Sequence, residues 1–338
     1  MTLKLDITRR AVMAVALGAM GFAGCSRPSS ATSTAASTAD NAAIEAAPFD
    51  ADSAYAAVKA QVDMGPRVPG SEGHARCARW IEESLRRYGA DTVIVQRATV
   101  GGPREGERTP VVNIMGRYNP EAASRVLIVA HWDTRPWADA ETDEALHSRP
   151  IAGANDGASG VGVIMEIARQ LSLKRAATGV DLLLVDAEDS GLSGVEDSEE
   201  TWCLGSQYWS QHTPYGVSDI PRYAIVLDMV GGTGARFNRE SLSVAQAPGV
   251  VDKVWATARA IGYGSVFADE PGGPLIDDHL FIQRAGIPSI DIVECRNRET
   301  GSFPPQWHTL ADDLPAIDRA SLKAAGQTVM TVIYNEKP

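Results

Sequence analysis

The chain has 338 residues, of which 44% are hydrophobic and 22% charged, enough apolar material to bury one large core. Its formal net charge is −12 and its basic residues are scattered rather than gathered in a stripe, so we expect no nucleic acid partner. No internal repeat is found. We therefore predict a single domain over 49–338, and we expect the protein to be monomeric.

The first 24 residues are predicted to be an export signal rather than part of the fold. Three basic residues precede an apolar run over 11–23, which is too short for a permanent transmembrane helix but suits a signal-peptide core. The run ends in Phe-Ala-Gly-Cys at 22–25, which resembles a bacterial lipobox and predicts a lipid on Cys25. The alternative is an ordinary signal peptide with an incidental cysteine. The run Thr-Arg-Arg at 8–10 also resembles a twin-arginine export signal.

The segment 25–48 is predicted to be a flexible tether that starts at the lipidated cysteine. It is rich in Ser, Ala and Thr and contains almost no bulky residue, so it cannot offset the entropy of an ordered chain. We expect a protein of the bacterial cell envelope, periplasmic or anchored to the outer membrane. Its contact with a membrane would be only through the N-terminal lipid.

Three further cysteines follow, Cys77, Cys203 and Cys295. In an exported protein two of them could form a disulfide, and the sequence leaves that pairing open. Because no CxxC pair exists, a zinc site built from cysteines alone is not expected.

In chain order, helices and strands alternate after the tether. Ser71 can cap a helix that Gly89 ends. Over 159–171 the apolar residues recur at the spacing of a core-facing helix, and 180–186 is a continuous apolar run typical of a buried parallel strand. The predicted helices are 71–88, 159–171, 204–211, 250–261 and 319–334, and the predicted strands are 91–100, 111–117, 126–131, 180–186, 222–229 and 289–293.

This alternation predicts a three-layer α/β fold, with a mixed, mostly parallel central sheet and helices on both faces. Polar residues gather where the predicted strands end. His131 and Asp133 follow one strand, an Asp-Ala-Glu-Asp run at 186–189 another, Asp228 a third and Glu294 a fourth. Ligands of such sheets bind beyond the carboxyl ends of the strands, so these residues predict a site there.

Three segments carry the candidate chemistry, and each has a bland explanation by itself. Glu188 and Asp189 could be solvated loop charges. Asp156, in the turn Asn-Asp-Gly-Ala-Ser-Gly, could be a helix N-cap, and His308 could lie on the surface of its loop.

Together they follow the order HxD, NDGxxG, strand-acid-acid, strand-Asp and loop-His, which resembles the zinc aminopeptidase-like family from about residue 50 to the C-terminus. The resemblance implies one Zn²⁺ per chain, held by Asp156, Asp189 and His308, with Glu188 as general base. Carboxylate and imidazole ligands suit tetrahedral zinc with one open position. Animal members have Glu where this chain has Asp189, and the shorter side chain requires a small shift of loop or metal.

Other segments resemble the glutaminyl cyclases of this fold, the animal-type group that has bacterial members. They are Phe-Pro-Pro-Gln-Trp-His at 303–308, Ile-Asp-Asp-His at 276–279, and the runs 131–139 and 202–206. This resemblance implies peptide or protein substrates with an N-terminal Gln, which is converted to pyroglutamate with release of ammonia.

It also implies roles for the residues around the metal. Phe303, Trp307 and Trp202 would wall the substrate pocket, and His279 would belong to it. Asp277, hydrogen-bonded to Asp228, would assist catalysis by holding the leaving group.

Two alternatives stay open. Family members with two zincs use the positions of His131 and Asp228 for the second ion, which implies an aminopeptidase that attacks a peptide bond with activated water. A non-catalytic, tethered binding protein is the other, and the complete ligand set disfavours it.

Overall fold

The computed structural model describes residues 46–195 and 198–338. The predicted signal peptide, the predicted lipidation site Cys25 and most of the tether lie outside the described residues and stay predictions. Ala46 is already buried, and the Phe49 amide donates a 2.7 Å hydrogen bond to Gln327 Oε1, so packing begins slightly before the predicted domain boundary. In the described ranges, no helix has both the length and the hydropathy that crossing a membrane requires.

Every predicted helix and strand is present, with small shifts at the ends. The helices are α1 (Ala51–Val62), α2 (Glu72–Arg87), α3 (Ala158–Leu173), α4 (Leu204–Gln211), α5 (Ser241–Gln246), α6 (Pro248–Ala260), α7 (Asp278–Arg284) and α8 (Arg319–Asn335). The strands are β1 (Thr92–Gly101), β2 (Arg108–Tyr118), β3 (Arg125–His131), β4 (Gly179–Val185), β5 (Ala224–Leu227), β6 (Phe237–Arg239), β7 (Phe267–Pro271) and β8 (Ser289–Ile292).

Five of these elements were not predicted: α1, α5, α7, β6 and β7. The two strands are short and pair only with each other, and α5 and α7 span fewer than three turns, so they carry little periodic pattern. Helix α1 is rich in alanine, and its apolar stripe is correspondingly weak.

The main sheet has six strands in the order β1-β2-β4-β3-β5-β8. Strand β2 is antiparallel to both of its neighbours, whereas the β4-β3, β3-β5 and β5-β8 pairs are parallel. Five of the six strands therefore run the same way, which confirms the predicted mixed, mostly parallel sheet.

Alternate residues of the central strands feed two cores on opposite faces of the sheet. Along β3, Val126, Ile128 and Ala130 join the larger core with α1, α2, α3, α6 and α8, and Leu127 and Val129 join the smaller one. Helices α4 and α7 cover that smaller core through Trp209 and Ile282. Because both faces of the sheet are buried, successive residues of β3 from Val126 to Ala130 are all apolar.

One glycine of the α3 entry is required by a close approach. A Cβ on Gly160 would lie 2.2 Å from the Leu227 carbonyl oxygen, so only glycine lets the start of α3 pack against the end of β5. Residues 156 and 228, which flank this contact, are thereby brought to the same edge of the sheet.

The structure answers the question of the cysteines that the sequence left open. Cys77, Cys203 and Cys295 are all free thiols and all buried. Burial raises the pKa of Cys77 to about 12, an effect that the nearby guanidinium of Arg67 opposes.

We expect these three thiols to be inert in the folded protein, because the thiolate is the reactive form and burial disfavours it. Iodoacetamide applied without reductant should leave Cys77, Cys203 and Cys295 unmodified in the native protein and alkylate all three in guanidinium chloride, as mapped by peptide mass. Alkylation of only one after unfolding would reveal a disulfide between the other two.

Candidate metal centre and active site

The loop after β4 carries the two acids that stood out in the sequence. The Asp133 carboxylate, at the end of β3, accepts hydrogen bonds from the backbone amides of Glu188 (3.0 Å) and Asp189 (3.2 Å). Ala187, just before them, has a left-handed backbone with φ 53°. The turn is therefore tied to the neighbouring strand and aims both acids beyond the sheet edge.

Asp156, Asp189 and His308 come together in the structure, as their predicted role requires. His308 Nε2 lies 3.2 Å from Asp189 Oδ1 and 3.9 Å from Asp156 Oδ2, and all three side chains are buried. Their ligand atoms lie within 4.8 Å of one another, close enough to hold one metal ion. Asp156 is not a helix cap, since α3 has Gly157 at that position.

A further observation supports a divalent metal bound by Asp156, Asp189 and His308. Asp189 Oδ2 is fully buried and has no hydrogen-bond partner, a costly state for a carboxylate oxygen unless a cation binds it. Two carboxylates and one imidazole with a shared open side are the ligand types that zinc accepts in catalytic sites.

Residues behind the ligands hold them in place. His308 Nδ1 lies 3.3 Å from Asp139 Oδ1, and Arg135 Nε donates to the same oxygen at 2.7 Å. Arg135 Nη1 also donates to the Asp189 carbonyl at 3.1 Å. A metal-binding histidine usually donates its second N–H to a carboxylate in this way. Burial raises the pKa of Asp139, but the hydrogen bonds from Arg135 and His308 outweigh this effect and hold the pKa below its ordinary value.

The Asp156 turn has a similar support on its other side. Asp312, four residues after His308, accepts hydrogen bonds from the backbone amides of Asn155 (2.8 Å) and Asp156 (3.1 Å). Asp312 and the supporting residues Asp133, Arg135 and Asp139 were not singled out from the sequence as supports. All are charged residues within a few positions of a predicted ligand or strand end, and this proximity is the signal that could have found them.

A second cluster shares Asp156. His131 Nε2 lies 3.1 Å from both Asp156 Oδ1 and Asp228 Oδ1. Burial lowers the pKa of His131, but hydrogen bonds with Asp133, Asp156 and Asp228 outweigh it and the net pKa is well above the ordinary value. Burial raises the pKa of Asp228 to about 7.

Glu188 stands between the metal cluster and a set of further acids. Its half-buried carboxylate accepts a hydrogen bond from the Cys203 thiol, with Sγ 3.3 Å from Oε1. Burial raises the pKa of Glu188 well above its ordinary range, and the charges of Asp189 and Asp277 add to this while His131 opposes it.

The three predicted metal ligands and Glu188 face a cavity of about 340 Å³. The Trp202 ring lies 6.1 Å from the His308 ring at an interplanar angle of 14°, and Phe303 stacks on Trp307 at 4.5 Å. The cavity is lined by Asp156, Glu188, Asp189, Ser193, Gly194, Ser198, Trp202, Asp228, Met229, Pro274, Leu275, Ile276, Asp277, Phe303, Trp307 and His308. The predicted metal, acid and aromatic residues thus share one space.

The structure corrects the prediction for His279. Its ring is fully buried behind the cavity wall, with Nε2 3.4 Å from Glu240 Oε2 and Nδ1 3.9 Å from Asp291 Oδ2. His279 is the second residue of α7 and is fully buried, so it does not line the cavity.

The predicted hydrogen bond between Asp277 and Asp228 is also absent from the described residues. Asp228 pairs with His131 instead. Asp277 caps α7 by accepting from the Asp278 amide, and it lies close to His279 and Asp291. Both acids nevertheless line the cavity.

Backbone strain is concentrated at this site. Among the described residues, five non-glycine residues have φ in the left-handed region; Met229 and His308 line the cavity, and Ala187 and Cys203 are sequence neighbours of the lining residues Glu188 and Trp202. Such conformations persist only where the surroundings enforce them, and they cluster at functional sites. Strand β5 ends at Leu227, so Met229 lies two residues beyond it, although the sequence predicted a strand to residue 229.

The model of peptidase family M28 matches residues 113–333. Glutaminyl-peptide cyclotransferase of Bos taurus is 25% identical over 294 residues, which cover 78% of this chain and 77% of that protein.

Two solved structures match over nearly their whole length. Glutaminyl cyclase of Bacteroides thetaiotaomicron bound to N-acetylhistamine is 48% identical with a TM-score of 0.83, covering 86% of this chain and 100% of that one. A structure described as a leucine aminopeptidase precursor from the same organism is also 48% identical, with a TM-score of 0.81 and coverages of 86% and 99%.

Proposed function

The chain belongs to peptidase family M28, and from that premise we propose that it is a glutaminyl-peptide cyclotransferase, which converts the N-terminal Gln of peptides and proteins to pyroglutamate and releases ammonia. The observation that best supports this proposal is the set of residues that line the cavity. It combines the metal cluster and Glu188 with Asp277 and the stacked aromatic wall of Phe303 and Trp307. A small pocket of this kind suits a folded Gln side chain better than an extended peptide.

In this proposal Asp156, Asp189 and His308 hold one Zn²⁺. When bound there, zinc supplies Lewis acidity toward the γ-carbonyl oxygen of the substrate Gln. Arg135 and Asp139 keep His308 and Asp189 oriented for this role.

The residues of the chain carry the proton transfer and the positioning. The α-amine of the substrate attacks its own γ-carboxamide carbon, the new C–N bond closes the five-membered lactam, and the old C–N bond breaks. Glu188 takes a proton from the attacking nitrogen and delivers it to the departing nitrogen, which leaves as ammonia. Asp277 holds that leaving group. The aromatic walls fold the side chain back onto its amine, an orientation effect.

We propose further that the enzyme is an exported, monomeric lipoprotein of the cell envelope. The support is the predicted signal peptide and Cys25 in the sequence. Its substrates would then be exported peptides and proteins.

One observation favours a second candidate function, a two-metal aminopeptidase. The cluster of His131, Asp156 and Asp228 also has ligand atoms within 4.8 Å of one another and shares Asp156 with the first cluster. His131 Nε2 lies 3.1 Å from an oxygen of each of the two carboxylates, a distance that suits either a hydrogen bond or two neighbouring ligands of a second metal ion. Two bound metals with an activated water between them would favour peptide hydrolysis.

We expect the purified protein to release ammonia from a dipeptide that begins with Gln and to release no amine from a leucine anilide. An N-acetylated Gln dipeptide is the matched control, since its blocked amine cannot attack and it should yield no ammonia. Amine from the anilide without ammonia from the Gln dipeptide would replace the cyclase with the aminopeptidase.

A further inference from the structure

Cys203 contacts the proposed general base twice. Its thiol donates to Glu188 Oε1 with Sγ 3.3 Å away, and its backbone N–H donates to the Glu188 carbonyl at 2.9 Å. The cysteine is fully buried. Among the described residues, its thiol is the only group that hydrogen-bonds the Glu188 carboxylate.

The backbone around Cys203 is closely tied to the loop that carries Glu188. The next two amides, of Leu204 and Gly205, donate to the carbonyls of Ala187 and Asp186, each at 2.9 Å. Cys203, the N-cap of α4, and the two residues after it are thus hydrogen-bonded to the loop that follows β4. This pairing fixes the distance from the thiol to the carboxylate through main-chain contacts.

The conformation of Cys203 is unfavourable for a residue with a side chain. Its φ of 55° is left-handed, where glycine would be free of strain. The chain nonetheless has a thiol there, pointed at a functional carboxylate. Strained side-chain positions of this kind are more often found where the side chain is used.

The thiol is a donor in this contact. Burial raises the pKa of Cys203 well above its ordinary value, and the negative charges of Glu188 and Asp278 raise it further. The other charged side chains near Glu188 are chiefly acids that cannot donate when ionised: Asp189, Asp277 and Asp278. A neutral S–H therefore anchors one carboxylate oxygen where other acids repel it.

We infer that Cys203 is a positioning residue for Glu188: its S–H anchors Oε1, which leaves the other carboxylate oxygen to exchange protons with the substrate. The inference rests on the proposed function in that Glu188 is taken as the base.

Kinetics of Cys203→Ala and Cys203→Ser, measured on the Gln dipeptide, test this inference. Loss of the hydrogen bond in Cys203→Ala should lower kcat about tenfold with little change in KM and in zinc content. The hydroxyl of Cys203→Ser is again a donor and should restore most of kcat. Cys77→Ala is the matched control, because it removes an equally buried thiol that makes no hydrogen bond to Glu188 among the described residues; it should lower Tm and leave kcat unchanged.

Infrared spectroscopy supplies a readout that does not depend on turnover. The S–H stretching band that disappears in Cys203→Ala should shift in Glu188→Gln, because the acceptor is changed. A packing role alone would not move that band. This measurement also serves if Cys203→Ala fails to fold, since Cys203→Ser identifies the same band by its loss.

Wild-type kcat in Cys203→Ala, or an S–H band that Glu188→Gln does not move, would overturn the inference. Failure of the proposed function has a different signature, namely no ammonia from the Gln dipeptide with the wild-type protein. In that case the kinetics are run on the leucine anilide, and the infrared comparison stands unchanged.

Discussion

Glu188→Gln is expected to lower kcat for Gln-dipeptide cyclisation by about 10²- to 10⁴-fold, the usual contribution of a positioned general base. The amide has nearly the same shape as the carboxylate but cannot take a proton from the attacking nitrogen. It still fits the cavity, so KM should change little. The measurement is steady-state ammonia release, with zinc content determined on the same preparations.

Glu72→Gln is the control for this prediction, since Glu72 is almost fully exposed at the start of α2 and, in the part of the chain that the structure describes, its one ion pair is with Arg76. It should behave as the wild type. Near-full activity of Glu188→Gln with zinc still bound would show that another group moves the proton.

Removal of the metal is expected to cause the second large loss of kcat. We expect a chelator to reduce kcat by about three orders of magnitude, since Lewis-acid stabilisation of several kcal/mol is lost and each 1.36 kcal/mol is tenfold in rate. Added zinc should restore the rate. Tm should fall on chelation as well, because a ligand that binds only the folded chain stabilises it.

His308→Ala should reproduce the chelated state even with zinc present, since it deletes one of three proposed ligands. His212→Ala is the matched control, because His212 is exposed, its ring hydrogen-bonds the Tyr208 carbonyl and stacks on the Tyr208 ring, and it is not among the residues that line the cavity. We expect one zinc per chain in the wild type and less in His308→Ala. Two tightly held zincs per wild-type chain would contradict the single-metal proposal and favour the aminopeptidase.

The site was predictable to the extent that it follows from strand ends. The apolar runs that became β3, β4 and β5 were evident, and so were the residues after them, including Asp189 and Asp228. In a mostly parallel sheet those ends meet at one edge whatever the strand order. His308 is different because it lies in a loop without periodic pattern. It was identified because the order of motifs along the chain resembles that of a known family.

The position of a side chain relative to the cavity was less predictable. Asp277 and His279 are two residues apart in one motif, yet Asp277 lines the cavity and His279 is buried against Glu240. The first caps α7 and the second lies within its first turn, so a helix that the sequence did not reveal turns their side chains to different sides.

The sequence by itself determined the α/β class, the mostly parallel sheet and the edge at which the acids and histidines gather, because local apolar periodicity reports which residues are buried. Only the tertiary structure decided how those residues pair. The antiparallel insertion of β2, the Asp139–His308 contact and the Cys203–Glu188 hydrogen bond join residues distant in the chain. Such contacts depend on how helices and strands pack on one another, and the local spacing of residues carries no record of it.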